Sequence, residues 1–261
     1  MRPVVLCFSG LDPSGGAGLQ ADIESIAALG CHAAVVCTAL TVQDSQQVYG
    51  FEAVSPMLIR QQANAVLADL PVAAIKLGML GSGAIAREIA LILAAHPDIP
   101  VVLDPVLTAN SGGSLADDDL AQGLLGLFPL TTVITPNSIE ARRLAELQNL
   151  PSTVQRLQDL GARHILLKGG HEAGTTIINQ LHGTDGLLHE SQSTRLPGEY
   201  HGSGCTLASA LAAGLARGLS LKAAVIQAES YVQTVLARAD RPHDSGQYLP
   251  VRILPNESSA S

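Results

Sequence analysis

Six short apolar runs in this chain each end in a polar, glycine-rich or proline-bent segment. VVLCFSG (4–10) leads into SGLDPSGG, and HAAVVCTAL (32–40) into TVQDSQ. AAIKLGML (73–80) closes on GML, and the run opened by Pro100 closes on DPV. TTVITPN (131–137) leads into TPNSIE, and ARHILLKGGH (162–171) closes on KGGH. Helical spacing of apolar residues fills most of the gaps: 17–30 with Gly30 as a C-cap, 55–69, 82–96, and SIEARRLAEL from Ser138. A further helix is predicted from a Ser152 N-cap with Gln155 three residues on, and two more from about 203 and 220. Residues 174–197 read as short strands and turns. This alternation predicts an α/β fold with a central mainly parallel β-sheet flanked by helices on both faces. The polar segments then meet on one sheet edge, where ligands bind.

Composition narrows the function classes. At 261 residues, 47% hydrophobic and 15% charged, the chain can bury a large core, and one domain over 1–261 is expected, with 254–261 a frayed tail. The net charge is −8, with no Trp and 3% aromatics, so neither a basic face nor a stacking platform for nucleic acid is visible. An anion must therefore be held locally, by backbone amides and a few placed cations. Gly10 and Pro13 interrupt the first apolar run too early for a signal peptide, and no uninterrupted run of about 18 apolar residues suggests a membrane span. Cys7, Cys31, Cys37 and Cys205 show no paired spacing, which points to a reduced, cytoplasmic protein. His32, His96, His164, His171, His182, His189, His201 and His243 lack zinc-binding spacing.

Four stretches carry chemistry. Gly16-Ala-Gly18-Leu-Gln-Ala21 fits a loose dinucleotide fingerprint, but no acidic residue closes the second strand; the other reading is a tight packing turn. Gly202-Ser203-Gly204-Cys205 opens a helix, where free amides bind anions and the dipole favours a thiolate. Cys205 is then a base for an attacking hydroxyl, or a small buried residue. Lys168 ends an apolar strand, either to meet phosphate oxygens or to snorkel. Asp104, Asn137 and Glu140 offer hard oxygen ligands for Mg²⁺, with helix capping as the other reading of Glu140. A carboxylate at an apolar strand end, as at Asp104, needs a partner. The run Asp117-Asp118-Asp119 reads as a solvated helix start.

Taken in order, SGLDPSGGAGLQAD, ALTVQDS, KLGML, VLDPVL, SGG, TPNSIEA, LLKGGH and HGSGCTLASALAAGLA resemble the hydroxymethylpyrimidine and phosphomethylpyrimidine kinases of thiamine synthesis, within the ribokinase-like superfamily. The resemblance runs from about residue 4 to about 237. It implies ATP-dependent phosphorylation of 4-amino-5-hydroxymethyl-2-methylpyrimidine and of its monophosphate, with ATP and Mg²⁺, in a homodimer without nucleic-acid or membrane partners. It implies that Gly202, Ser203, Gly204 and Cys205 form the anion hole, with Cys205 the base. Lys168 would meet the transferring phosphate, and with Asn137 and Gly204 the nucleotide. Asp104 and Glu140 would face the metal. Gly10, Asp22, Gln43, Met79 and Val106 would line the pyrimidine pocket, Asp22 and Gln43 pairing with the ring's donor and acceptor. Three departures stand out. Leu196 to Tyr200 replaces a threonine-rich stretch, Asn110 a lysine, and Asp44 an asparagine. A pyridoxal or pyridoxine kinase of the same fold is the alternative.

Overall fold

A computed structural model describes residues 1–107, 118–242, 244 and 246–253. Asn110, the SGG motif at 111–113, Asp117, His243 and the tail 254–261 lie outside the described residues.

The strands are β1 (Val4–Leu11), β2 (His32–Gln43), β3 (Val48–Ala53), β4 (Val72–Leu77), β5 (Val101–Leu103), β6 (Val133–Ile134), β7 (Ile165–Leu167), β8 (Thr176–Gly183) and β9 (Gly186–Thr194). They form one sheet in the order β3-β2-β1-β4-β5-β6-β7-β8-β9. The six strands from β2 to β7 pair in parallel. The edges are antiparallel: β3 on one side, β8 and β9 on the other. The mainly parallel sheet expected from the sequence is therefore present.

Burial on both faces follows from the two-residue period of a strand. In β1, Val4, Leu6 and Phe8 join one core cluster, while Val5 and Cys7 join the other. The first cluster is covered by α2 (Pro56–Asp69), α3 (Gly83–Ala94), α4 (Asp118–Leu127), α5 (Ser138–Ala145) and α6 (Leu150–Asp159). The second is covered by α1 (Gly18–Ala28), α7 (Ser203–Ala216) and α8 (Leu221–Ala237). Helix α7 is apolar over most of its circumference because it is buried from Thr206 to Gly214. Asp119, in the expected solvated helix start, is half-exposed and pairs with Arg87 at 2.7 Å.

Three expectations are corrected. Helix α6 starts earlier than Ser152: Asn149 is the N-cap and accepts from the Ser152 amide, with Pro151 in the first turn, where its missing N–H costs nothing. TVQDSQ is not a plain loop after the second strand. Thr41 to Gln43 continue β2, and Val48–Ala53 returns beside it as an antiparallel arm. Residues 174–197 form a long hairpin, β8 with β9, rather than short pieces. Gly30, by contrast, stands just past α1 at φ +80°, as a C-terminal stop should.

Candidate active site

The C-terminal ends of the parallel strands open into a cleft of about 410 Å³. All six polar segments reach it: Gly10 near the end of β1, Gln43 and Asp44 at the end of β2, Met79 after β4, Asp104 and Val106 after β5, Asn137 and Glu140 after β6, and Lys168 after β7. Gly202 to Cys205 close its floor from α7.

The entry to α7 is built for close backbone approach. Gly202, the N-cap, has φ +71° and no side chain to cap the helix, so among the described residues no side chain satisfies the first-turn amides. A Cβ on Gly202 would stand 2.1 Å from the Gly16 carbonyl oxygen. A Cβ on Gly204 would lie 3.2 Å from the Lys168 Nζ and 3.5 Å from an Asp104 carboxylate oxygen. The lysine is thus brought directly over the helix mouth.

Lys168 Nζ donates to Asp104 Oδ1 at 2.8 Å, and Thr135 Oγ1 donates to the same oxygen at 3.0 Å. Burial acts to lower the lysine's pKa, but Asp104 and Glu140 outweigh it, and the ammonium is held above its usual range. Glu140 is the reverse. Desolvation lifts it to about 7 against the pull of Lys168, and Asp104 adds to the rise. Its capping role is also real: Glu140 Oε2 accepts from the Asn137 amide at 2.8 Å while Asn137 Oδ1 accepts from the Ile139 and Glu140 amides. The Asn137 acceptor is therefore spent on the helix, and only its NH₂ remains for a ligand.

Cys205 lines the cleft, but its acidity runs opposite to the expectation. Burial raises the thiol pKa more than Lys76 and the Gly18 amide lower it. The helix mouth does favour a thiolate, yet desolvation of the charged sulfur is the larger effect here.

Asp22 is the second correction. It is fully buried and is not part of the cleft lining. Its carboxylate accepts from Lys76 Nζ at 2.7 and 3.0 Å and from Ser209 Oγ at 2.6 Å, beneath the floor. Sealed outside the cleft lining and already accepting from Lys76 and Ser209, it is not presented to a ring amine in the cleft. Gly10, Gln43, Met79 and Val106 do reach the cleft together. Met79 and Val106 pack in a small apolar cluster with Ala39, Val48 and Phe51 at the base of the β2–β3 arm. Gln43 Nε2 donates to Thr41 Oγ1 at 2.7 Å, which commits one side of its amide.

The glycine-rich turn after β1 is consumed internally. Asp12 accepts from the Ser14 and Ala17 amides at 2.8 Å each and from His201 Nε2 at 2.8 Å. Those amides are the ones a pyrophosphate would need, so the packing-turn reading holds over the dinucleotide one. Burial raises the Asp12 carboxyl, but His201 and Ser14 bring it below the usual range. Arg252, buried near the far end of the chain, donates to the Gly15 and Gly16 carbonyls and to Thr206 Oγ1, tying this turn to α7.

Sequence reasoning missed Lys76, Ser209, His201 and Arg252. Lys76 carried a signal, a lone charge inside AAIKL; Arg252 carried none. Among the described residues no group of three or more His, Cys, Asp or Glu side chains could hold a metal by itself, and no helix is long and apolar enough to cross a membrane.

A family model described as phosphomethylpyrimidine kinase matches residues 12–251. The thiamine biosynthesis bifunctional protein of Geobacter sulfurreducens is 39% identical over 246 residues, covering 91% of this chain; the chain spans 50% of that relative's length. The hydroxymethylpyrimidine/phosphomethylpyrimidine kinase of Rhizobium meliloti is 36% identical, with 92% of this chain and 93% of the relative covered. The solved pyridoxal kinase of Staphylococcus aureus in complex with AMP-PCP superposes with a TM-score of 0.88 at 26% identity, covering 99% of this chain and 96% of that one.

Proposed function

The chain belongs to the phosphomethylpyrimidine kinase family, and from that premise we propose that it transfers the terminal phosphoryl group of ATP to 4-amino-5-hydroxymethyl-2-methylpyrimidine and then to the monophosphate. The observation that carries this reading is one juxtaposition. The Lys168 ammonium stands over the unsatisfied amides of the α7 mouth, in the same cleft as Gln43, Met79 and Val106. A phosphoryl transfer through a loose transition state asks for fixed positive charge and aimed donors around the moving group. The amides of Ser203, Gly204 and Cys205 and the Lys168 ammonium supply both.

Cys205 takes the proton of the attacking hydroxyl. With a raised pKa the thiol is the resting form, so the thiolate fraction, and the rate it supports, climb with pH. Gly10, Met79 and Val106 hold the ring, and Gln43 Oε1 accepts from its amine. Asp104 Oδ2 and Glu140 Oε1 make no hydrogen bond among the described residues, so each leaves one hard oxygen for a cation. Two carboxylate oxygens suit Mg²⁺, whose remaining ligands are water and phosphate. When bound, Mg²⁺ neutralises phosphate charge; the protein's part is to hold these two oxygens apart from Lys168 and the Asn137 amide.

The catalytic unit is proposed to be a single domain that works as a homodimer. Val35, Leu40, Val42, Tyr49, Met57 and Leu58 are exposed apolar residues on β2, β3 and α2, a face suited to a second copy. The second reading, pyridoxal kinase, is favoured by the closeness of the fold to the Staphylococcus enzyme. Purified protein with Mg-ATP and each alcohol separates the two. ADP release and a phosphorylated pyrimidine by mass spectrometry are expected. Turnover of pyridoxal with none of the pyrimidine overturns the proposal.

A further inference from the structure

With Asp22 withdrawn beneath the floor, the cleft lacks one of the two polar partners expected for an aminopyrimidine ring. A different residue stands ready. Gln247 is 6% exposed and lines the cleft. Among the described residues its carboxamide has no hydrogen-bond partner. A carboxamide that lines a cleft with its donors and acceptor uncommitted to the described residues is available to a ligand or to water.

Its position fits the alcohol end of the cleft rather than the β8–β9 end. The preceding Gly246 packs against Gln46, in the turn that joins β2 to β3; a Cβ there would stand 3.2 Å from the Gln46 side chain. The backbone of the following Tyr248 is fixed on both sides, donating to the Glu199 carbonyl at 2.7 Å and accepting from the His201 amide at 2.9 Å. The Tyr248 ring stacks on Tyr200 at 5.3 Å. Gln247 is therefore presented on a pinned backbone between the β2–β3 turn and His201, beside the segment that opens the anion hole.

We propose that Gln247 is a specificity-determining residue whose carboxamide pairs with the amine and adjacent ring nitrogen of the pyrimidine. A primary amide gives and takes a hydrogen bond side by side, and the aminopyrimidine edge offers the complementary pair, as adenine does to glutamine in nucleic-acid recognition. A pyridine ring has no such edge. Gln247 thus supplies the second partner, complementing the acceptor of Gln43. The inference rests on the functional reading above.

The test compares Gln247→Ala with the wild type on two alcohols, the hydroxymethylpyrimidine and its analogue lacking the ring amine, at saturating Mg-ATP. The expected result is a rise of about 5–100-fold in KM for the natural ring, with kcat and the KM for ATP changed far less. For the amine-free analogue, which keeps only the ring nitrogen to pair with the carboxamide, the rise in KM should be clearly smaller than for the natural ring. An equal penalty on both alcohols marks Gln247 as packing and overturns the inference, as does an unmoved KM. Should the alanine variant unfold, Gln247→Met keeps the volume, removes the hydrogen-bonding groups and carries the same comparison. A wild type that never turns over the pyrimidine overturns the functional reading and this inference with it. Wild-type turnover with an insensitive Gln247→Ala overturns this inference alone.

Discussion

Two lysine–aspartate pairs sit at the same edge of the sheet and do different work. Lys76 meets Asp22 at 2.7 Å with both side chains 0% exposed; Lys168 meets Asp104 at 2.8 Å with exposures of 14% and 3%. The sealed pair is closed on itself. Ser9 completes the Lys76 ammonium and Ser209 completes the Asp22 carboxylate. The open pair is unfinished, with one Asp104 oxygen and one face of the ammonium directed to the cleft. Burial alone would lower the Lys76 pKa, yet Asp22 more than reverses this, and the ammonium is charged at any working pH. The same ion pair is thus a foundation when its valences are closed and an instrument when they are left open. The sealed one fixes the floor under Cys205, and the open one meets the ligand.

The largest effect comes from breaking the sealed pair. Lys76→Met leaves the buried Asp22 without its counter-charge, with only Ser209 to donate to it, which should destabilise the protein by about 3–5 kcal/mol, read as a shift in denaturant midpoint. Lys76→Met with Asp22→Leu should recover most of that loss, because no isolated charge remains. It should not restore full activity. Lys76 lowers the Cys205 thiol pKa by more than Asp22 raises it, so with both gone the thiol still rises and the alkaline limb of the rate profile should move to higher pH. A double variant no more stable than the single one would show that the pair matters for shape rather than for charge.

The open pair should fail in the opposite manner. Lys168→Met should lower kcat by roughly 10²–10³-fold, the usual loss when one charged stabiliser of a transition state is removed. Its effect on stability should be smaller than that of Lys76→Met, because Asp104 can turn to water in the cleft. Steady-state kinetics beside a melting curve distinguishes the two lysines. Equal loss of stability in both would erase the distinction between them.

Much of this contrast was legible in the sequence, but unevenly. Lys168 and Asp104 stood out as charges ending apolar runs, and such charges need partners. Lys76 broke AAIKL in the same way. Asp22 was open to misreading because its residue type suits a ring amine. Its position argues otherwise: it shares a helix face with Leu19 and Ile26, both buried, three residues before and four after. The anion hole was readable because glycines at a helix start have a direct backbone consequence. The Cys205 acidity was not, since the helix end was visible but the depth of burial opposing it was not. Arg252 and Gln247 were invisible for a different reason. Their roles depend on where the last stretch of chain docks, and no local pattern encodes that.

Cys205 tests whether the sealed floor serves the chemistry above it. Cys205→Ala should cost about 10²-fold in kcat, at the lower end for a lost general base, since a loose transition state leaves the attacking proton acidic only late. The pH profile is the sharper measurement. The wild-type rate should rise through the alkaline range as the raised thiol ionises, and the alanine variant should lose that limb. A variant that keeps both the rate and the slope would leave catalysis to the amides and Lys168.

The smallest effect sharpens the open pair from its far side. Glu140 lies beside Lys168 and Asp104 and titrates near 7, well above an ordinary glutamate. The folded state therefore binds a proton that the unfolded chain has already released. Stability is lost as pH rises from about 4.5 through 7, and the full penalty stands above that. Glu140→Gln removes the penalty and leaves an amide oxygen to accept from Asn137. At pH 8 it should raise Tm by roughly 2–5 °C, and at pH 5 by little or nothing. The same variant should raise the apparent KM for Mg²⁺ at pH 8, because one of the two free carboxylate oxygens is replaced by a neutral one. The wild type's apparent KM for Mg²⁺ should fall between pH 6 and 8 as Glu140 ionises. A Tm gain equal at both pH values would mean that Glu140 is an ordinary cap, and that the open pair ends at Asp104.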